Sequence, residues 1–418
     1  MEVIAFFEHK VRELAALRRL RSELQKRGDT VSIYSIAFEW SDAYASAKKH
    51  GIDVLLVPWC YRADQFWRFS PFYELNPELK MINLHHEQIT PQLTKNVLLP
   101  RDQIACEYPW HFSWTEYFRD LLISAGVDES RIRVVGNLRL EPTASDCERF
   151  STRASFAERY HLDTSKKWIL YAESRRIDAI SLEKIGNDLT VLSDVSVADC
   201  ERYFERWKLS LRRTIDQIKS LPSSFFDEFE IIYRPHPGST IDFSLGEYAR
   251  IISDGPIAPW INSSDVFCTW QSTSAFEADM AGLPVFFHES VPIPESERMP
   301  GVSDYYAIHN IDEINSASIE KCLLSREQDP IFTRYVGRWN PDADHHYADA
   351  VHGVAALAES KSIVPYNRVW KMKMWGSELV IRFLKRYSLI RKLHWPKTAS
   401  MMYDDIPFGD KSCIDLHR

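Results

Sequence analysis

The chain has 418 residues, of which 45% are hydrophobic, 26% charged and 13% aromatic, with a formal net charge of −8. At roughly 150 residues per domain this length suggests two or three domains, and the composition excludes a mainly disordered or collagen-like chain. The acidic balance makes the whole chain a poor nucleic-acid binder, and no run of 18 apolar residues spans a membrane.

Val3–Phe6 reads as a first buried strand, with no basic region of the kind that opens a signal peptide. Val11–Lys26 follows as an amphipathic helix, with Leu14, Leu17, Leu20 and Leu24 spaced by three and four. Val31–Ile36 is the next strand. Ser41–His50 is the next helix, with Ser41 as its N-cap and Gly51 just past its end. Val54–Val57, Met81–Leu84 and Ile104–Cys106 read as further strands, Trp114–Ala125 as a helix and Arg133–Val135 as a strand. Residues 142–165 are polar and helical, and then the pattern restarts. Strands are expected at Trp168–Ala172, Phe229–Arg234, Ala249–Ile252, Val266–Thr269, Val285–Phe287 and Tyr305–His309. Ala198–Ser220 and Thr273–Ala281 are the helices among them, residues 175–197 an insertion, and residues 312–360 mostly helical. Alternation with short connections predicts parallel sheets covered on both faces. Two such series predict two doubly wound α/β domains facing a cleft, with ligands outside the carboxyl ends of the strands. No G-x-G-x-x-G follows the first strand, so a nicotinamide- or flavin-binding unit of the usual kind is not expected.

The seven cysteines are scattered, odd in number and without a C-x-x-C pair. They argue against a disulfide framework or a cysteine zinc site, and read as reduced thiols of a cytosolic protein. Five segments at predicted strand ends carry the candidate chemistry. In Tyr233-Arg234-Pro235-His236-Pro237 two prolines fix a turn that presents Arg234 and His236, cationic groups suited to a phosphate. In Trp270-Gln271-Ser272-Thr273-Ser274…Glu277…Gly282-Leu283-Pro284 a strand enters a hydroxyl-rich helix start. Ser272, Thr273 and Ser274 can hold an anion there and Glu277 a ribose, although an ordinary capped helix explains the same residues. Gly136-Asn137-Leu138-Arg139-Leu140-Glu141 closes the first series, and a simple Gly-Asn turn accounts for it equally. Glu173-Ser174-Arg175-Arg176 places a carboxylate beside guanidinium groups, as a surface ion-paired loop would. His85-His86-Glu87-Gln88 contains adjacent histidines, whose side chains point opposite ways on an extended chain, so no metal site is expected.

Together these segments resemble the bacterial surface-carbohydrate glycosyltransferases of GT-B fold, including capsule and lipopolysaccharide Kdo transferases. The CDP-glycerol glycerophosphotransferases of teichoic acid synthesis are more remotely similar. The resemblance rests on Arg12-Glu13, His86-Glu87-Gln88, Gly136–Glu141, Arg234-Pro235-His236-Pro237 and Trp270–Thr273 through Gly282-Leu283-Pro284, within residues 1–310. Leu138 and Glu141 stand where such relatives carry proline and aspartate. The resemblance implies an acceptor domain over residues 1–150, a donor domain over 160–340, a closing helix over 341–363 and a tail over 364–418. It implies a nucleotide-sugar substrate, first assigned as CMP-linked, with no separate cofactor and no metal. Arg234, Ser272, Thr273, Ser274, Glu277, Asn137 and Arg139 would bind it, and His236, Glu173 and Glu141 would be catalytic. Glu173 is the favoured carboxylate, since it ends the first strand of the second series. A CDP-glycerol-type transferase and a catalytically silent GT-B assembly subunit are the alternatives.

Between Pro365 and Lys397 the tail holds nine basic residues and one acidic residue, interleaved with aromatic and aliphatic ones. Met372, Trp375, Leu379 and Phe383 fall on one helical face, as in a helix lying on an anionic membrane surface. A helix packed back on the first domain would show the same pattern. The expected location is the cytoplasmic face of the inner membrane, beside a lipid-linked or glycan acceptor.

Overall fold

The structure, a computed structural model, describes residues 1–8, 13–140, 146–175, 195–236, 243–326, 330–358 and 368–386. Two compact units are present. The first comprises Met1–Gln88, Leu98–Leu140 and the described residues from Arg338 on, and the second comprises Ile89–Val97 and the described residues of Glu141–Gly337.

The first unit begins β1 (Glu2–Phe7), α1 (Ala15–Lys26), β2 (Thr30–Ser35), α2 (Trp40–His50), β3 (Val54–Val57), α3 (Ala63–Leu75) and β4 (Lys80–Asn83). It continues α4 (Gln103–Glu107), β5 (Trp110–Ser113), α5 (Glu116–Ser124) and β6 (Ile132–Val134). Its six strands pair in the order β2-β1-β3-β4-β5-β6, all parallel. The second unit is built from α6 (Asp146–Tyr160), β7 (Lys167–Ala172), α7 (Val197–Ser220), α8 (Ser223–Glu228), β8 (Phe229–Arg234), β9 (Arg250–Ile251), α9 (Ala258–Ser263) and β10 (Val266–Thr269). It is completed by α10 (Ser274–Met280), β11 (Val285–His288), β12 (Tyr306–Ile308), α11 (Ser316–Arg326) and α12 (Ile331–Tyr335). These strands form a second parallel sheet in the order β12-β11-β10-β7-β8-β9. Two helices then return to the first unit, α13 (Ala343–Ala355) and α14 (Arg368–Arg386).

Continuous apolar strands are required because both faces of each sheet are covered. Val54, Leu55, Leu56 and Val57 are all fully buried. On one face of the first sheet, Leu17, Leu20 and Leu24 of α1 pack with Val3, Ala5 and Leu56, joined by Tyr347, Val351 and Val354 of α13. On the other, Phe66, Phe69 and Phe72 of α3 pack with Ile4, Phe6 and Trp40.

Two local expectations are corrected, and one helix was not anticipated. Ile104–Cys106 is helical, because the Asp102 side chain caps α4 by accepting from the Ala105 amide at 2.9 Å. The strand of that region is Trp110–Ser113, fully buried although it contains a histidine. Ser41 does not cap α2: the helix starts at Trp40, and Glu39 before it accepts from the Ser35 amide at 2.8 Å. Helix α3 carries Pro71 inside it, which disguises it in the sequence. Glu141, Arg176, Pro237 and the tail beyond Arg386 lie outside the described residues. The five described cysteines with described side chains, Cys60, Cys106, Cys200, Cys268 and Cys322, are buried thiols outside any disulfide.

Helix α14 docks on α3 and α2. Met374 is buried, and Trp375 meets Trp40 and Tyr44 edge-on at 5.6 and 5.4 Å between ring centroids. Lys371 pairs with Glu74 at 2.7 Å, and Arg382 donates to Ser41 Oγ at 3.0 Å. Trp375 therefore belongs to the docking face, and the expected grouping of Met372, Trp375, Leu379 and Phe383 is corrected on that residue. Met372, Leu379 and Phe383 are exposed with Val369 and Val380 on the far side of the helix.

Candidate functional site

Three segments of the first unit meet at the carboxyl ends of β1, β4 and β6. After β1 the chain turns at Glu8, whose amide donates to Glu13 Oε2 at 2.6 Å. Glu13 is fully buried, and His86, after β4, brings its Nε2 within 3.5 Å of the same carboxylate oxygen. After β6, Gly136 adopts φ +84, a region glycine enters without penalty, and Asn137 Oδ1 accepts from the Arg139 amide at 3.0 Å. That Asx turn aims Arg139 back across the sheet edge. Its Nη1 donates to the His86 carbonyl at 2.6 Å and lies 3.3 Å from Glu87 Oε1, with the guanidinium over the Trp114 ring. Asn137 and Arg139, expected to bind donor, thus scaffold this cluster. Glu13 and His86 were legible only as resembling residues. The available signal is a carboxylate at the start of an otherwise apolar helix face.

The adjacent histidines do diverge. His85, at φ +47, turns into the core and its Nε2 lies 2.8 Å from His111 Nδ1. Burial drives both imidazoles toward the neutral form, His85 well below its ordinary value and His111 down to about 3. Gln88 clamps the same loop, donating to the His85 and Phe112 carbonyls and accepting from the Trp114 amide. Among the described residues, no group of three or more His, Cys, Asp and Glu side chains is arranged to hold a metal ion.

In the second unit the favoured carboxylate is placed differently from expectation. Glu173 follows β7 but is buried, gripped by Arg175 through two bonds of 2.6 Å and by the Tyr233 hydroxyl at 2.8 Å. Arg175 also donates to Ser210 Oγ at 2.6 Å and lies over Trp270, 5.1 Å from the ring centroid. Burial opposes the charge on Arg175, and the Glu173 carboxylate more than offsets it, so the guanidinium stays charged above its usual range. Tyr171 extends the network to His288 at 3.0 Å, and burial holds that imidazole at about 3. Glu173, expected to be the catalytic carboxylate, is thus held inside an ion pair and hydrogen-bond network at the end of β7.

Arg234, expected to bind the donor phosphate, is likewise held by the protein's own groups. It is buried and donates to the Asp254 and Gly255 carbonyls at 2.6 and 2.7 Å, which uses its fork on the protein's own backbone. His236 is half-buried two residues beyond the end of β8. After β10, Thr269 Oγ1 accepts from the Ser272 amide at 3.0 Å, and Ser272 Oγ accepts from the Ser274 amide at 3.2 Å. Thr273 precedes α10 without a side-chain cap bond, and Glu277 is exposed in its first turn. Gln271 straps this turn to the next loop, accepting from the Met299 amide at 2.6 Å.

Two six-stranded parallel sheets with flanking helices and returning C-terminal helices make this a GT-B fold. The wall teichoic acid polymerase TagF (H548A) is similar to 85% of this chain over 89% of its own, at 13% identity and TM-score 0.52. S. aureus MnaA, solved with UDP, is similar to 88% of this chain over 99% of its own, at 12% identity and TM-score 0.50. These likenesses concern the fold. No family model and no curated protein sequence matches the chain.

Proposed function

We propose that this protein is a glycosyltransferase that moves a sugar from a nucleotide donor to a growing bacterial surface glycan. The observation that carries the proposal is the convergence of Glu13, His86, Glu87 and Arg139 on one sheet edge, where ligands of doubly wound sheets bind. The Glu13–His86 pair supplies the proton acceptor. It takes the proton of an acceptor hydroxyl as that oxygen attacks the anomeric carbon of the donor. The bond from that carbon to the phosphate oxygen breaks, and the nucleotide leaves with the electron pair. In the second unit His236 donates to the departing phosphate, Ser272, Thr273 and Ser274 hold the nucleotide phosphate, and Glu277 holds the ribose hydroxyls. Glu173 and Arg175 keep the end of β7 rigid beside Trp270.

The donor assigned first is a CMP-linked ulosonic acid such as Kdo. Transfer of a polyol phosphate from CDP-glycerol is the second assignment, supported by the fold likeness to a wall teichoic acid polymerase. Thermal-shift titrations with CMP, CDP, UDP and GDP, followed by transfer assays with the matching donors, test both. A ligand at 100 times its Kd stabilises the folded state by about 2.7 kcal/mol. The largest shift is expected with CMP, whereas CDP leading CMP selects the second assignment. No shift with any nucleotide overturns the enzyme assignment, and a shift without transfer or donor hydrolysis leaves a silent binding subunit.

The enzyme works at the cytoplasmic face of an anionic membrane, which α14 contacts. Its far side exposes Met372 at 76%, Leu379 at 66% and Phe383 at 55%. The single acidic residue between Pro365 and Lys397, Glu378, is turned inward and buried, facing the guanidinium of Arg68. The outward face thus has no described carboxylate to repel anionic lipid, in a segment carrying nine cations. No helix among the described residues is long and apolar enough to cross a membrane.

A further inference from the structure

The first unit also holds a cavity of about 350 Å3 at the outer edge of its sheet, between β6 and the start of α13. Its polar lining is Arg133, Asn137, Arg338, Asn340 and His346; the remainder is apolar side chains and the Gly136 backbone. No carboxylate lines it, in a chain whose net charge is −8.

Several parts of the wall are fixed by the protein itself. Arg133 lies over the Trp110 ring, 4.8 Å from its centroid, and its Nη1 donates to the Ser130 and Ile132 carbonyls at 2.8 Å. The Tyr347 hydroxyl donates to the Gly136 carbonyl at 3.2 Å and so ties the loop after β6 to α13. A side chain at Gly136 would meet nothing within 4 Å, so the loop backbone borders open space. Asn340 Oδ1 accepts from the Asp342 amide at 2.9 Å, which orients the amide with Nδ2 toward His346 Nδ1 at 3.3 Å. An amide nitrogen only donates, so His346 Nδ1 accepts and Nε2 carries the proton as a donor. Helix α13 begins at Ala343 in the lining, and the positive end of its dipole adds to the cationic groups. Asp344 in the same turn is engaged by Arg19 at 3.4 Å.

We propose that this cavity binds a phosphate monoester of monosaccharide size, at a site separate from the Glu13–His86 cluster. Guanidinium groups match phosphate in a two-point geometry, and the volume lies at the lower end of small-ligand sites. The proposal does not depend on the transferase assignment.

The test is isothermal titration of the full chain with α-D-glucose 1-phosphate at constant ionic strength, without and with saturating CMP, CDP or UDP. One equivalent of saturable binding is expected in both conditions. Arg338→Glu should weaken it by at least about tenfold, the loss expected for one charge-assisted contact. Arg338 is exposed, so that variant should melt as the parent does, and Asn340→Asp provides a second variant that places a carboxylate in the cavity. No saturable binding by the parent chain, binding abolished by nucleotide, or unchanged binding in the two variants would overturn the proposal.

Discussion

Arg139 donates through Nη1 to the carbonyl oxygen of His86 at 2.6 Å, joining the loop after β6 to the loop after β4. The bond is possible because Asn137 turns the chain back at Gly136, and it holds His86 where its imidazole faces Glu13. Two loops whose bonded residues lie 53 positions apart in the chain are thereby made into one rigid wall.

Replacement of Glu13 by Gln keeps an oxygen that accepts from the Glu8 amide but removes the charge facing His86. Turnover should fall by about a hundredfold or more, the usual contribution of a general base. The melting temperature should stay near that of the parent. Steady-state kinetics beside a melting curve checks this, and a fully active variant removes Glu13 from the mechanism.

His236→Ala should lower turnover by about a hundredfold with little change in donor affinity, since one preorganised donor to a leaving phosphate is worth roughly 3 kcal/mol. A variant that loses affinity and keeps turnover would make His236 a ground-state binding group instead. Separate determination of kcat and KM for the donor distinguishes the two.

Arg175→Met leaves the Glu173 carboxylate buried without its partner, and such breaks cost about 3–5 kcal/mol. The urea midpoint of the second unit should drop accordingly. The double variant Glu173→Gln with Arg175→Met removes both charges and should recover a large part of that loss. Equal destabilisation in single and double variants would show that packing around Trp270, and not the ion pair, fixes this strand end.

Changing Met372, Leu379 and Phe383 together to Ser should abolish flotation with anionic vesicles while leaving the melting temperature unchanged, because all three are exposed. Removal of the whole helix would mislead, since Met374 and Trp375 belong to the core cluster of the first unit. Binding of the parent should weaken as salt rises, as the charged component is screened within roughly 8 Å at physiological ionic strength. Failure of the parent to float removes the membrane from the proposal.

Acid should destabilise both units. Burial holds His111 and His288 at about 3, below the ordinary histidine value of about 6.5 in the unfolded chain. The unfolded state therefore binds more protons between those values. The stability of each neutral imidazole is present above pH about 6.5 and is lost as pH falls toward 3, by up to about 1.4 kcal/mol per pH unit for each group. His111→Gln should flatten the decline from pH 6.5 to 4. An identical pH profile in the variant would assign the decline to other groups.

The two parallel sheets were legible before folding, because buried strands must be apolar runs and each run announces itself without its neighbours. Val54–Val57 and Val266–Thr269 have the bounds that periodicity assigned them. The sequence also determined which loops carry polar residues at strand ends, since those positions follow from the strands. How those residues are engaged depends on the folded arrangement. Arg234 spends its guanidinium on the Asp254 and Gly255 carbonyls, and Glu173 is sealed by Arg175 and Tyr233, because segments distant in the chain close over them. Glu13 and His86 became a pair for the same reason: the segment before α1 and the loop after β4 are distant in the chain and meet only at the folded edge of the sheet. Burial and partnership depend on such contacts, and no local pattern encodes which distant group arrives.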